Sequence, residues 1–256
     1  MIIADIFDRF LAARRRRQRP RTPAHMPLEA LEMVAIDSET TGLEVRSARI
    51  VSFAVISIAK GLDVEPRPKL DLLVDPRVPI PAGATAIHGI DARRVAGAPS
   101  IADVWDELTG ALADRIVVGH HIGFDLAILA AEARRIGRPW HEPASLDTAA
   151  MAAGLGLPVD RLDLVDLLAC LGARPRGERH TAAGDALMAA DLFVAIAHRL
   201  RSRQRATLDG QRAARRQLDV GFGHGHAVNP AGRVLLGRRQ RRTGAVAHAA
   251  GDDHGV

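Results

Sequence analysis

The chain has 256 residues, 47% of them hydrophobic, which is enough for one substantial core with appendages. Its 35 Lys and Arg against 30 Asp and Glu give +5, but the excess sits at the ends: residues 1–30 hold seven Arg and three acids, residues 199–256 hold twelve Arg and four acids, and the sixteen bases and twenty-three acids between them leave the middle at −7. A uniformly basic polyanion binder is therefore excluded, and the lone Cys170 excludes both an intramolecular disulfide and a cysteine-based zinc site.

No apolar run approaches the roughly 20 residues that span a bilayer, so no transmembrane segment is expected. The N-terminus lacks the order of charge, apolar stretch and small-residue cleavage site of a signal peptide, and a reducing, cytoplasmic compartment is expected. Residues 1–30 read as an arm and a linker. Ile2, Ile3, Ile6, Phe7, Phe10 and Leu11 form a helical stripe before Arg14–Arg17, and Pro20, Pro23 and Pro27 break any helix that leaves it.

A folded domain is expected over residues 31–201. Met33–Ile36, Ile50–Ile58 and Leu70–Val74 read as three successive strands pairing as a meander. Ser100 and Asp103 make a capping box for a helix carrying Ile101, Val104, Leu108 and Leu112, and Ile116–Val118 reads as a buried strand. Helices are expected from Phe124 to Ile136, closed by Gly137, then over 162–171, closed by Gly172, and from Thr181 to Leu200. The order predicts an α/β domain whose mixed sheet is flanked by helices. Beyond Arg201 the apolar period fades, and residues 202–256 read as a basic, flexible tail.

Three segments carry chemistry. At the end of the first strand, Asp37-Ser38-Glu39-Thr40-Thr41-Gly42 places two carboxylates at alternate positions and hence on one face. Such a pair repels itself unless a cation sits between, and a hard, oxygen-seeking divalent ion suits it. Next, His120-His121-Ile122-Gly123-Phe124-Asp125 joins a buried strand to a helix and puts a carboxylate in the first turn, where the helix dipole favours it. Finally, His180-Thr181-Ala182-Ala183-Gly184-Asp185 sets a loop histidine five residues before an acid at the start of the last helix. Asp147 reads as a helix cap and Asp191 as a solvated helix residue, and both are left out of the site.

Asp37, Glu39, Asp125, His180 and Asp185, in this order and context, resemble the three motifs of the DEDDh 3′→5′ exonuclease family, which includes the proofreading epsilon subunit of bacterial DNA polymerase III and stand-alone relatives. The resemblance covers roughly residues 31–200 and extends to Ala86-Ile87-His88-Gly89-Ile90 and Leu146-Asp147-Thr148. The chain has no Tyr, which separates it from the sister group that uses tyrosine in place of the histidine. His121 stands where many relatives carry Asn.

The resemblance implies a ribonuclease H-like fold and two divalent cations, Mg2+ (or Mn2+), held by Asp37, Glu39, Asp125 and Asp185. His180 would be the proton acceptor for the attacking water, since imidazole changes charge nearest to neutral pH. Thr40, Thr41, Gly42, His88 and Phe124 are the expected substrate contacts. The implied substrate is the 3′ end of a nucleic acid, single-stranded DNA first and RNA second, released as nucleoside 5′-monophosphates. A DNA polymerase or other protein partner would be met through the tails. The competing expectation is a catalytically silent nucleic-acid-binding or polymerase-accessory module of the same fold.

Overall fold

The computed structural model describes residues 26–157 and 163–202. The amphipathic arm of residues 1–17 and the basic tail beyond residue 202 lie outside the described residues.

Entry to the fold is a 3-10 turn, Leu28–Ala30, whose Leu28 is fully buried. Six strands follow among the described residues: β1 Met33–Thr40, β2 Ile50–Ala59, β3 Asp63–Val64, β4 Leu70–Leu73, β5 Ile116–Gly119 and β6 Ser145–Asp147. They form one sheet in the order β3-β2-β1-β5-β6, with β4 pairing β2 farther along the same strand. β1, β2, β3 and β4 pair antiparallel, whereas β1 with β5 and β5 with β6 are parallel. The expected meander is present, with the two-residue β3 inserted after a turn at Gly61 and Leu62, both at positive φ.

Helices cover both faces: α1 Ala82–His88, α2 Ile101–Leu112, α3 Gly123–Arg135, α4 Thr148–Gly154, α5 Leu164–Cys170 and α6 Ala182–Ser202. The two-residue period of a strand sorts the core. Met33 and Ala35 of β1, with Ala54, Ile56 and Ile58 of β2, face α4, α5 and α6, where Phe193, Met188 and Ile196 are buried. Val34 and Ile36, with Phe53 and Val55, face α2 and α3 and pack with Trp105, Leu108 and Leu129. A strand covered on both sides reads as a continuous apolar run, which is why β2 carries so little polarity.

Local signals place the helix ends. The backbone N–H and hydroxyl of Ser100 both donate to Asp103 Oδ2, at 2.8 and 2.6 Å. Gly137 and Gly172 take φ +67° and +73°, the left-handed conformation that closes a helix. None of the described helices is long and apolar enough to cross a membrane.

Candidate active site

β1 and β5 run parallel, and their C-terminal ends open onto one edge of the sheet, where open α/β sheets collect their ligand sites. Three chain segments meet there: the end of β1, the β5-to-α3 connection and the start of α6. Asp37 and Glu39 continue the face of β1 that looks toward α6, while Ser38 continues the opposite face toward α3. At Glu39 and Thr40 the pairing with β2 shifts register, a bulge that re-aims the end of the strand.

Carboxylate oxygens of Asp37, Glu39 and Asp185 all lie within 4.8 Å of one another. Asp125, buried at 4% exposure, is not one of that trio, and the Ser38 hydroxyl donates to its Oδ1 at 2.6 Å. It remains an electrostatic neighbour. Burial raises the Asp37 carboxyl well above the usual range, and the charges of Asp125, Asp185 and Glu39 add to that. Burial pushes Glu39 up to about 7, helped by Asp185 and Asp125. Asp125 is likewise pushed up to about 7 by burial, against the lowering effect of its Ser38 hydrogen bond. Burial also raises Asp185, opposed by Arg179 and by His180.

Such a set fits hard divalent cations. All donors are oxygen, the acids crowd one another, and Asp185 Oδ1 is buried with no hydrogen-bond partner among the described residues.

His180 is exposed and sits in the left-handed region at φ +60°, with its backbone N–H donating to Asp185 Oδ2 at 3.1 Å. Its loop is fixed by close packing. A Cβ on Gly184 would come within 1.9 Å of the Glu178 carbonyl oxygen, and one on Gly177 (φ +90°) within 2.8 Å of the Gly184 Cα. Arg176 binds Asp191 through two side-chain hydrogen bonds, so Asp191 is a partly buried anchor for this loop and not the solvated helix residue expected. Helical spacing alone could not reveal that partner, because Arg176 lies in an irregular segment.

The expected substrate contacts divide into two kinds. Thr40 and Thr41 are buried and their hydroxyls are engaged inside the chain, Thr40 donating to the Gly42 carbonyl at 2.7 Å and Thr41 accepting from the Arg49 N–H at 3.0 Å. His88 is buried too: Nε2 lies 3.3 Å from the Thr40 carbonyl and Nδ1 accepts from the Ile90 N–H at 3.0 Å. Phe124 packs partly into the core. Gly42, by contrast, has none of the described residues within 4 Å of where a Cβ would stand. Asp147 caps α4, accepting from the Ala149 N–H at 3.0 Å and from the His121 N–H at 3.1 Å, as a cap should.

Sequence reasoning missed Leu43 and Ile87, which are 58% and 51% exposed. They adjoin Gly42 and His88, and their exposure as large apolar residues could be read only from coordinates. Both tryptophans are spent on the core, with Trp105 buried and Trp140 at 5.9 Å from it.

The family model RNase_T, described as an exonuclease, matches residues 34–193. The chain is 36% identical over 182 residues to a DNA polymerase III subunit epsilon-like protein of Rhodobacter capsulatus, covering 70% of this chain and 26% of that protein. With the DNA polymerase III subunit epsilon of Aquifex aeolicus the identity is 28% over 168 residues, covering 65% of this chain and 81% of that one. The chain thus spans about a quarter of the first relative's length. Among solved structures it resembles exonuclease X in complex with 5′ overhanging duplex DNA, at TM-score 0.55 and 24% identity over 71% of this chain and 99% of that one. It also resembles Escherichia coli exonuclease I bound to a dA16 oligonucleotide, at TM-score 0.56 and 18% identity over 74% of this chain and 43% of that one. These likenesses are of fold, and the mixed sheet flanked by helices is the ribonuclease H-like arrangement expected.

Proposed function

Because the chain belongs to the RNase T exonuclease family, we propose that it is a divalent-cation-dependent 3′→5′ exonuclease of the DEDDh type. The observation that carries this reading is the convergence of Asp37, Glu39 and Asp185 within 4.8 Å, beside a buried Asp125. Asp37, Glu39 and Asp185 would hold one ion, and Asp37 with Asp125 a second. Bound Mg2+ (or Mn2+) would supply positive charge to the scissile phosphate and to the oxygens that attack and leave it.

The chain's own residues do the rest. His180, exposed at the rim and tied by its backbone to Asp185, accepts the proton of the attacking water on its imidazole. Gly42 leaves open space for the terminal nucleotide, and the exposed side chains of Leu43 and Ile87 offer apolar surface to its base. Thr40, Thr41 and His88 hold that rim in shape through the Gly42, Arg49 and Thr40 backbone contacts. Phe124 supports it from the core side. Single-stranded DNA is the proposed substrate: DNA in keeping with relatives named for DNA polymerase III, single-stranded as the motif resemblance implies. The ends of the chain, outside the described residues, are the proposed contacts to a polymerase or other protein partner.

Digestion of a single-stranded DNA and an RNA oligomer, each labelled at the 5′ end, tests this. With Mg2+ or Mn2+ we expect stepwise shortening from the 3′ end and release of nucleoside 5′-monophosphates, DNA faster than RNA. Asp185→Ala should abolish it, and His180→Ala should slow it by about 10² to 10⁴, the scale of losing a general base. Oligomers left intact by the wild-type chain with both metals would refute the reading.

A further inference from the structure

Arg179 precedes His180 and belongs to none of the three motifs. Its Nε lies 3.5 Å from Asp185 Oδ1, too loosely placed to hydrogen-bond, and among the described residues neither atom has another hydrogen-bond partner although both are buried. A second guanidinium nitrogen stands 3.7 Å from Asp163 Oδ2. The backbone that carries Arg179 is fixed on all sides. Arg176 is paired with Asp191, the Thr181 hydroxyl donates to the Glu178 carbonyl at 2.8 Å, and the Gly184 N–H donates to the Thr181 hydroxyl at 3.1 Å. A guanidinium held by charge alone on a rigid support, with its side chain 35% exposed, is placed to leave one partner for another.

We propose that Arg179 is the resident counter-cation of the acidic cluster, that a divalent ion entering at Asp185 displaces it, and that the displaced guanidinium then binds a phosphate of the nucleic acid. This inference rests on the function proposed above. Asp185 Oδ1 has no hydrogen-bond partner among the described residues, so guanidinium and metal ion would meet at the same oxygen, and like charges so close repel. A freed guanidinium presents a planar fork that matches two phosphate oxygens, which a lysine ammonium does not reproduce. Its position next to the general base brings that fork to the scissile end of the strand.

Calorimetric titration of Mn2+ into the full chain, without nucleic acid, reads the first half of the proposal. Arg179→Gln should bind Mn2+ roughly tenfold more tightly than wild type, because a competing positive charge is gone, while Arg179→Lys should stay near wild type. Unchanged or weaker Mn2+ binding by Arg179→Gln overturns the displacement. For the second half, the KM for a single-stranded oligomer should rise roughly tenfold in Arg179→Gln and also in Arg179→Lys, which keeps the charge and loses the fork. A KM equal to wild type in both variants overturns the phosphate contact. A wild-type chain that takes up no Mn2+ refutes the metal site itself and this inference with it, so the wild-type titration separates the two failures.

Discussion

Each acid at the sheet edge is held in a state that a cation would relieve. Glu39 and Asp125 are pushed up to about 7 by burial first, and Asp37 and Asp185 are raised for the same reason. A carboxyl whose folded-state pKa is raised keeps its proton longer in the folded chain than in the unfolded one. Stability is then greatest below the unfolded value and falls as pH climbs toward the folded value. The ordinary values of 4.5 for Glu and 3.8 for Asp and the folded values of about 7 set the window. In chelator, the Tm should fall from about pH 4 to about pH 7, and Mn2+ should restore more of it at the upper end than at the lower. A Tm in chelator that is flat or rising across this window would contradict the account. Two histidines beside the acids, His121 at φ +55° and His180 at φ +60°, occupy backbone conformations that cost a side-chain-bearing residue roughly 1 kcal/mol. Position 121 explains its own departure from the family: the asparagine of many relatives and the histidine here are both among the residues that tolerate this region.

At the scale of elements, the three motifs were legible because each lies where an element begins or ends. Asp37 and Glu39 end a strand that opens with a clean apolar run, Asp125 lies in the first turn of a helix closed by Gly137, and Asp185 in the first turn of α6. What escaped was short or dependent on distant partners. β3 has two residues and β6 three, too few to display a period, and α1 and α4 have seven each. Nor does sequence show that Ser38 hydrogen-bonds Asp125, or that Arg176 and Asp191 staple the histidine loop. The close approach at Gly184 makes that loop an exacting element. Gly184→Ala must push the Glu178 carbonyl aside and move His180 with it, and a shift of about 1 Å at a catalytic group is on the scale of a 10²-fold loss. Gly110→Ala, with nothing within 4 Å of its Cβ and a helical position to favour alanine, should leave turnover unchanged and raise the Tm. Comparable activity in both variants would remove the loop from its positioning role.

For the molecule as a whole, the proposed function would give the acidic middle and the basic ends separate tasks. Carboxylates at the sheet edge would concentrate cations, and the arginines outside residues 31–198 would add salt-sensitive attraction to a polyanion without needing to touch the reacting phosphate. Both tasks depend on whether the acids at the end of β1 and the start of α6 share metal. Anomalous diffraction from crystals of the full chain grown with Mn2+ and a nucleoside 5′-monophosphate measures that most directly. The account predicts two peaks, one among Asp37, Glu39 and Asp185 and a second between Asp37 and Asp125. A map with no peak among the first three carboxylates would contradict it.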